Sequence, residues 1–147
     1  MTTLARTTFF ASLAVWIGGA AFFTLVVLPV LFTRLPPSEA GGIAALLFPF
    51  YYRVGAACSL VLLAAAGYLA LRFGGIWRAV VVLTALMSLA QAYSAFFVQP
   101  RMAALRGSEQ GMVEFQALHV RAVRLNGFVL ASGLVLVFAS GYLLDRR

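Results

Sequence analysis

SEAGGIAALLFPFYYRVGAACSLVLLAAAGYLAL, residues 38–71, carries no charge between Arg53 and Arg72 and no turn signal from Gly55 to its end. Read as one helix rising about 1.5 Å per residue, it is close to 50 Å long, against about 30 Å for the hydrocarbon core of a bilayer. Val54 to Leu71 nearly suffices to span. The preceding turns place Ile43, Leu46, Leu47 and Phe50 on one stripe, which predicts an amphipathic extension outside the core or along its interface. Pro49 falls at the junction, where a missing N–H predicts a kink.

Outward from this stretch, three more apolar segments can be cut without overlap. The expected architecture is an all-α integral membrane protein, a four-transmembrane-helix bundle forming one domain over 1–147. Its helices are expected at about 7–32, 38–71, 77–98 and 109–144, with the second and fourth extended beyond the membrane on one side. Composition agrees: of 147 residues 63% are hydrophobic and 10% charged, far from the usage of soluble domains. Arg6 followed by an apolar run imitates a secretory signal, but Thr7 to Phe32 exceeds the usual h-region of roughly 7 to 15 residues and reads as a retained helix. In that helix Gly18 and Gly19, with Ala20 and Ala21, would admit a close neighbour, and Pro29 is expected to bend the far end. Gln99, Pro100 and Arg101 are expected to end the third helix.

The net charge is +7 and every cation is arginine. These arginines sit at segment ends, where they anchor helices and set topology, so nucleic acid is not an expected partner. Arg6, Arg72, Arg78, Arg146 and Arg147 cluster at the termini and the middle turn, which by positive-inside counting predicts cytoplasmic termini, as in a bacterial inner membrane. The single Cys58 lies in an apolar run and cannot form an intrachain disulfide. The bilayer is the expected environment, and the Gly and Ala positions permit a homo-oligomer.

Polar residues gather at one end of the segments. Phe115, His119, Ala122 and Asn126 are spaced four, three and four apart and share a helix face. Tyr51, Tyr52 and Arg53 return to the same side from the second helix, and Gln99, Arg101 and Met102 from the third. Glu114 and Arg121 share another face, with Arg53 or Arg101 as expected partners. The expected ligand-binding set is Tyr51, Tyr52, Arg53, Gln99, Arg101, Glu114, His119 and Asn126; the same groups could instead lock helix packing. For a copper ion the candidate ligands are His119 and the Met102 thioether, without clustered spacing in support. For haem, His119 is the candidate axial ligand and Arg53, Arg101 or Arg121 could pair propionates. No nucleophilic triad or phosphate loop is present.

The order Trp16, Gly18, Gly19, then Pro29, Leu31, Phe32, Leu35, Pro36, then Leu47, Phe48, Pro49, Tyr51, Tyr52, then Pro100, Arg101, then Phe115, His119, Asn126 resembles the transmembrane-protein-205-like domain family. The likeness covers nearly the whole chain. It implies four transmembrane helices, no assigned biochemical activity and a link to the handling of metals or toxic compounds. A more distant likeness is to CopD-type copper-resistance proteins and membrane protoporphyrinogen oxidases, whose further histidines this chain lacks. The expected function is therefore binding or movement of a small ligand at a polar pocket, without enzymatic chemistry. The alternatives are a haem- or porphyrin-binding oxidoreductase using His119 and a structural or partner-binding membrane subunit.

Overall fold

In the computed structural model, which describes residues 1–108 and 110–139, the chain forms four long helices: α1 (Thr2–Arg34), α2 (Pro37–Phe73), α3 (Ile76–Leu105) and α4 (Met112–Phe138). No strand occurs among the described residues. Each helix is long and apolar enough to cross a membrane, and the protein is an all-α integral membrane protein. The expected helix start at Glu109 and the end at Leu144, with Asp145, Arg146 and Arg147, lie outside the described residues.

The helix lengths are 33, 37, 30 and 27 residues. All exceed the roughly 20 residues that span a hydrocarbon core, so the overrun expected of the second and fourth helices is shared by the first and third.

Local chemistry sets the breaks between helices. Leu35 and Pro36 each precede a proline, whose ring excludes the helical region for the residue before it. Both are extended, at φ −125°, ψ 153° and φ −54°, ψ 143°. Pro37 then occupies a first-turn position, where its missing N–H removes nothing. Between α2 and α3 the chain reverses through Gly74 and Gly75, both at positive φ, 61° and 50°, where a side chain would strain the backbone.

Three prolines, Pro29, Pro49 and Pro100, lie inside their helices without ending them. The third helix was expected to stop at Gln99–Pro100–Arg101, but α3 continues to Leu105. A π-helical turn over Ser94–Val98 precedes Pro100, and a matching one over Phe23–Val27 precedes Pro29. A proline ring collides with the carbonyl four residues back, here Phe96 and Leu25, each inside its π turn. Within those turns Gln99 N–H donates to the Ser94 carbonyl and Leu28 N–H to the Phe23 carbonyl, five residues back. Widening the turn gives the ring room, and the helix resumes.

The helices pack as a closed ring in which α1 touches α2, α2 touches α3, α3 touches α4 and α4 returns to α1. In the half towards the α2–α3 turn the interior is apolar: Phe9, Leu13 and Trp16 of α1 meet Leu62, Ala66 and Leu69 of α2 and Trp77 and Met87 of α3. Phe9 stands edge-on to Trp77 with centroids 5.5 Å apart, and the Arg6 guanidinium lies 5.0 Å from the Phe73 ring centroid. Lipid tails are as apolar as these side chains, so association rests on close packing and hydrogen bonds rather than on expelling water.

Close packing uses other glycines than those expected. A Cβ at Gly18 or Gly19 would meet nothing within 4 Å; these residues are exposed and admit no neighbour within the bundle. Instead Gly133 of α4 receives the Ile17 side chain, and Gly55 of α2 lies directly under the Gln91 amide of α3.

Candidate functional site

Successive residues of a helix point about 100° apart, and Tyr51 and Tyr52 make their hydrogen bonds to different helices. Tyr51 faces α1 and α4. Its ring stacks on Phe23 at 5.0 Å, and its hydroxyl donates to Asn126 Oδ1 at 2.5 Å. The Asn126 amide then donates to Thr24 Oγ1 at 2.9 Å, so one side chain of α4 joins α2 to α1. Tyr52 faces α3. Its hydroxyl accepts from Gln99 Nε2 at 3.4 Å and pairs with the Ser94 hydroxyl, while its backbone carbonyl accepts from Gln91 Nε2 at 3.2 Å.

Phe48 completes an aromatic cluster, edge-on to Phe23 at 5.4 Å and stacked on Tyr52 at 6.1 Å. Thr24 and Ser94 lie in the two π turns, one in each. One turn thus delivers the Ser94 hydroxyl to Tyr52 and the other the Thr24 hydroxyl to Asn126, the partner of Tyr51, in keeping with the frequent use of π turns at functional positions.

Farther out, α3 and α4 are tied by a two-pronged ion pair. Arg101 Nε donates to Glu114 Oε1 at 2.7 Å, and a terminal guanidinium nitrogen donates to Oε2 at 3.1 Å. Arg121, expected beside Glu114 in a charged group, instead donates to the Tyr93 hydroxyl at 3.1 Å. The Arg53 guanidinium lies 5.7 Å from the centroid of Phe50, one turn earlier on the same helix.

Two hollows adjoin this network. The larger is a groove of about 780 Å³ between α2 and α3, partly open at the surface of the bundle. Its upper part includes Tyr52, Arg53, Gln99 and Arg106, and its deeper part Ala56, Leu60, Leu63 and Leu89. The smaller is a cavity of about 10 Å³ enclosed by Tyr51, Tyr52, Gln91, Ser94 and Asn126 among others, close to the volume of a single water site. Gln91 borders both hollows. It is 7% exposed, and its Oε1 has no hydrogen-bond partner.

Of the eight expected ligand-binding residues, Tyr52, Arg53 and Gln99 border the groove. Tyr51 and Asn126 border the small cavity. Arg101 and Glu114 border neither and serve each other. His119 is exposed on α4 and also borders neither hollow. Met102 is buried, so the imidazole and thioether considered for a metal or haem do not come together at the groove. Among the described residues no three His, Cys, Asp or Glu side chains form a group able to hold a metal ion.

Sequence reasoning missed Thr24, Gln91, Ser94 and Arg106. Gln91 carried the clearest signal, as an amide in the middle of an apolar segment with Gly55 on the preceding helix to admit it. Thr24 and Ser94 carried a fainter one, as hydroxyls five and six residues before a proline.

Neither a curated protein nor a solved structure matches the chain. A family model described as a domain of unknown function, DUF4149, matches residues 11–110. That stretch holds all the groove residues, from Ala45 to Arg106, and ends before Glu114, His119 and Asn126. With about two thirds of its length covered, the chain belongs to the DUF4149 family.

Proposed function

We propose that the protein is a non-enzymatic component of a bacterial inner membrane, with cytoplasmic termini, that takes a small amphipathic ligand from the bilayer into the groove between α2 and α3. The observation that carries this reading is the groove itself. Its volume of about 780 Å³ falls in the range of roughly 300 to 1,000 Å³ typical of small-molecule sites. It combines an apolar length with a few polar groups at one end, which suits an amphiphile better than a water-soluble metabolite.

Tyr52, Arg53 and Gln99 are the contact residues in this reading. Tyr51, Asn126 and Thr24 fix the angle of α2 beneath them, and Arg101 with Glu114 holds α3 to α4. Handling of toxic compounds, which the sequence resemblance implies, would use the same groove where those compounds are amphipathic.

The test is retention of a fluorescent amphiphile by the purified protein in detergent. Ala56→Trp, which places an indole in the groove from an exposed backbone position, should abolish retention. Val135→Trp, on the exposed face of α4, should leave it unchanged. Equal retention by wild type and Ala56→Trp would sink the groove as the binding site.

A further inference from the structure

The polar end of the groove has a definite charge. Arg53 and Arg106 both border it, and among the described residues its lining contains no carboxylate. Glu114, at the same end of the bundle, is held by both prongs of Arg101 and is not available to neutralise them. Both groove arginines are exposed. Arg53 stands at the start of the apolar stretch of α2, and Arg106 caps the C-terminus of α3, so both guanidinium groups belong to the polar half of the groove.

Below them the lining turns apolar through Ala56, Leu60, Leu63 and Leu89. Below Arg53, from Ala56 to Leu63, the groove follows α2 for about 10 Å at 1.5 Å per residue, enough for the upper part of an acyl chain whose remainder stays in the bilayer. One group bordering the groove suits a glycerol ester: the Gln99 amide has an N–H beyond the one it gives to the Tyr52 hydroxyl. The Ser59 and Ser88 hydroxyls border the groove too, with their protons given to the Ala56 and Thr84 carbonyls.

The geometry points to an anionic phospholipid as the occupant, with its phosphate between Arg53 and Arg106 and one acyl chain along Ala56, Leu60, Leu63 and Leu89. This inference rests on the groove being a ligand site and adds the chemistry that selects the ligand. A chain leaving the bilayer for the groove passes from one apolar environment to another, so its burial discriminates little between lipids. Discrimination falls to the headgroup. A planar guanidinium matches a phosphate through paired N–H donors, and a basic residue at a membrane surface favours an anionic lipid by about fivefold. Two such residues should give a preference of about twentyfold to thirtyfold. The net negative charge of the lipid, rather than its phosphate alone, decides the outcome, because a zwitterionic headgroup carries its own cation.

The experiment is competitive lipid binding, followed by native mass spectrometry of the purified protein with phosphatidylglycerol and phosphatidylcholine of identical chains. Wild type should retain phosphatidylglycerol with the preference given above. The R53Q/R106Q double variant should still retain lipid but bring the two to near parity, with each single variant in between. Ala56→Trp should lose retained lipid of both kinds. An unchanged preference in R53Q/R106Q would overturn the headgroup assignment while leaving the groove in place, provided Ala56→Trp still loses lipid. Equal retention of lipid by wild type and Ala56→Trp would overturn both. Displacement of the bound lipid by millimolar inorganic phosphate would show an anion site without a chain requirement and would also overturn the assignment.

Discussion

Gly55 is the residue on which the contact between α2 and α3 turns. A Cβ there would collide with the Gln91 amide, which lies across the helix to reach the Tyr52 carbonyl. Gly55→Ala should therefore lower stability by about 1–3 kcal/mol, the usual cost of overpacking, seen as a lower unfolding temperature in detergent. The same change combined with Gln91→Ala should cost less than the sum of the two single changes, because the second removes what the first strikes. Gly18→Ala, with open space around it, should shift stability by no more than about 0.5 kcal/mol. A second test concerns Tyr51. Replacing it by Phe leaves the rings in place but removes the donor to Asn126 Oδ1. The expected loss is about 0.6 kcal/mol and at most about 1.7 kcal/mol, the mean and the maximum for hydrogen bonds between membrane helices. Asn126→Leu, which removes the link to Thr24 as well, should cost more than Tyr51→Phe in the same unfolding assay.

At the scale of the helix, the decisive events are at glycines and prolines. Gly74 has φ 61° and ψ −144°, a region essentially confined to glycine, so Gly74→Ala should destabilise by about 1–3 kcal/mol, measurable by denaturant unfolding. How much of the helices could be read from the chain follows from the same residues. The span of α2 was legible because residues 54–71 leave no charge to place in lipid, and its start was legible because Pro36 and Pro37 leave no choice of backbone. The end of α3 was not. Proline is a stop signal in water-soluble helices, but in a membrane the freed backbone groups must still be satisfied within the chain. The π turn over Ser94–Val98 satisfies them and lets the helix run on. The candidate site shows the same division. Tyr51, Tyr52, Gln99 and Asn126 stood out as polar groups near the ends of apolar runs, and they meet. His119 shares the face of Phe115 and Asn126 on a helical wheel, yet it is exposed. Spacing along one helix marks a stripe; it does not say where the neighbouring helix ends.

Over the whole molecule the bundle has two unlike halves. The half near Phe9 and Trp77 is held by tightly fitted apolar side chains, and the half near Tyr51 and Asn126 by a chain of hydrogen bonds with hollows beside it. Phe9→Ala, at a site with no exposed surface, should cost about 3–5 kcal/mol by cavity formation and lower unfolding temperature more than any single change in the polar half. The groove should hold its ligand in the less tightly packed half, where small adjustments of α2 and α3 are least costly. The π turns give that half one more property. Each contains one residue beyond what an α-helix of the same rise would need, so everything that follows it is turned by about 100° from where unbroken α-winding of the same residues would place it. Excising Phe96 alone should return α3 to ordinary winding with Arg101 still aimed at Glu114 and Arg106 still beside the groove, because the residue lost is the extra one that the π turn holds. Each π turn is thus a store of slack in the winding, where the loss of one residue is taken up locally and both ends of the protein keep their aim.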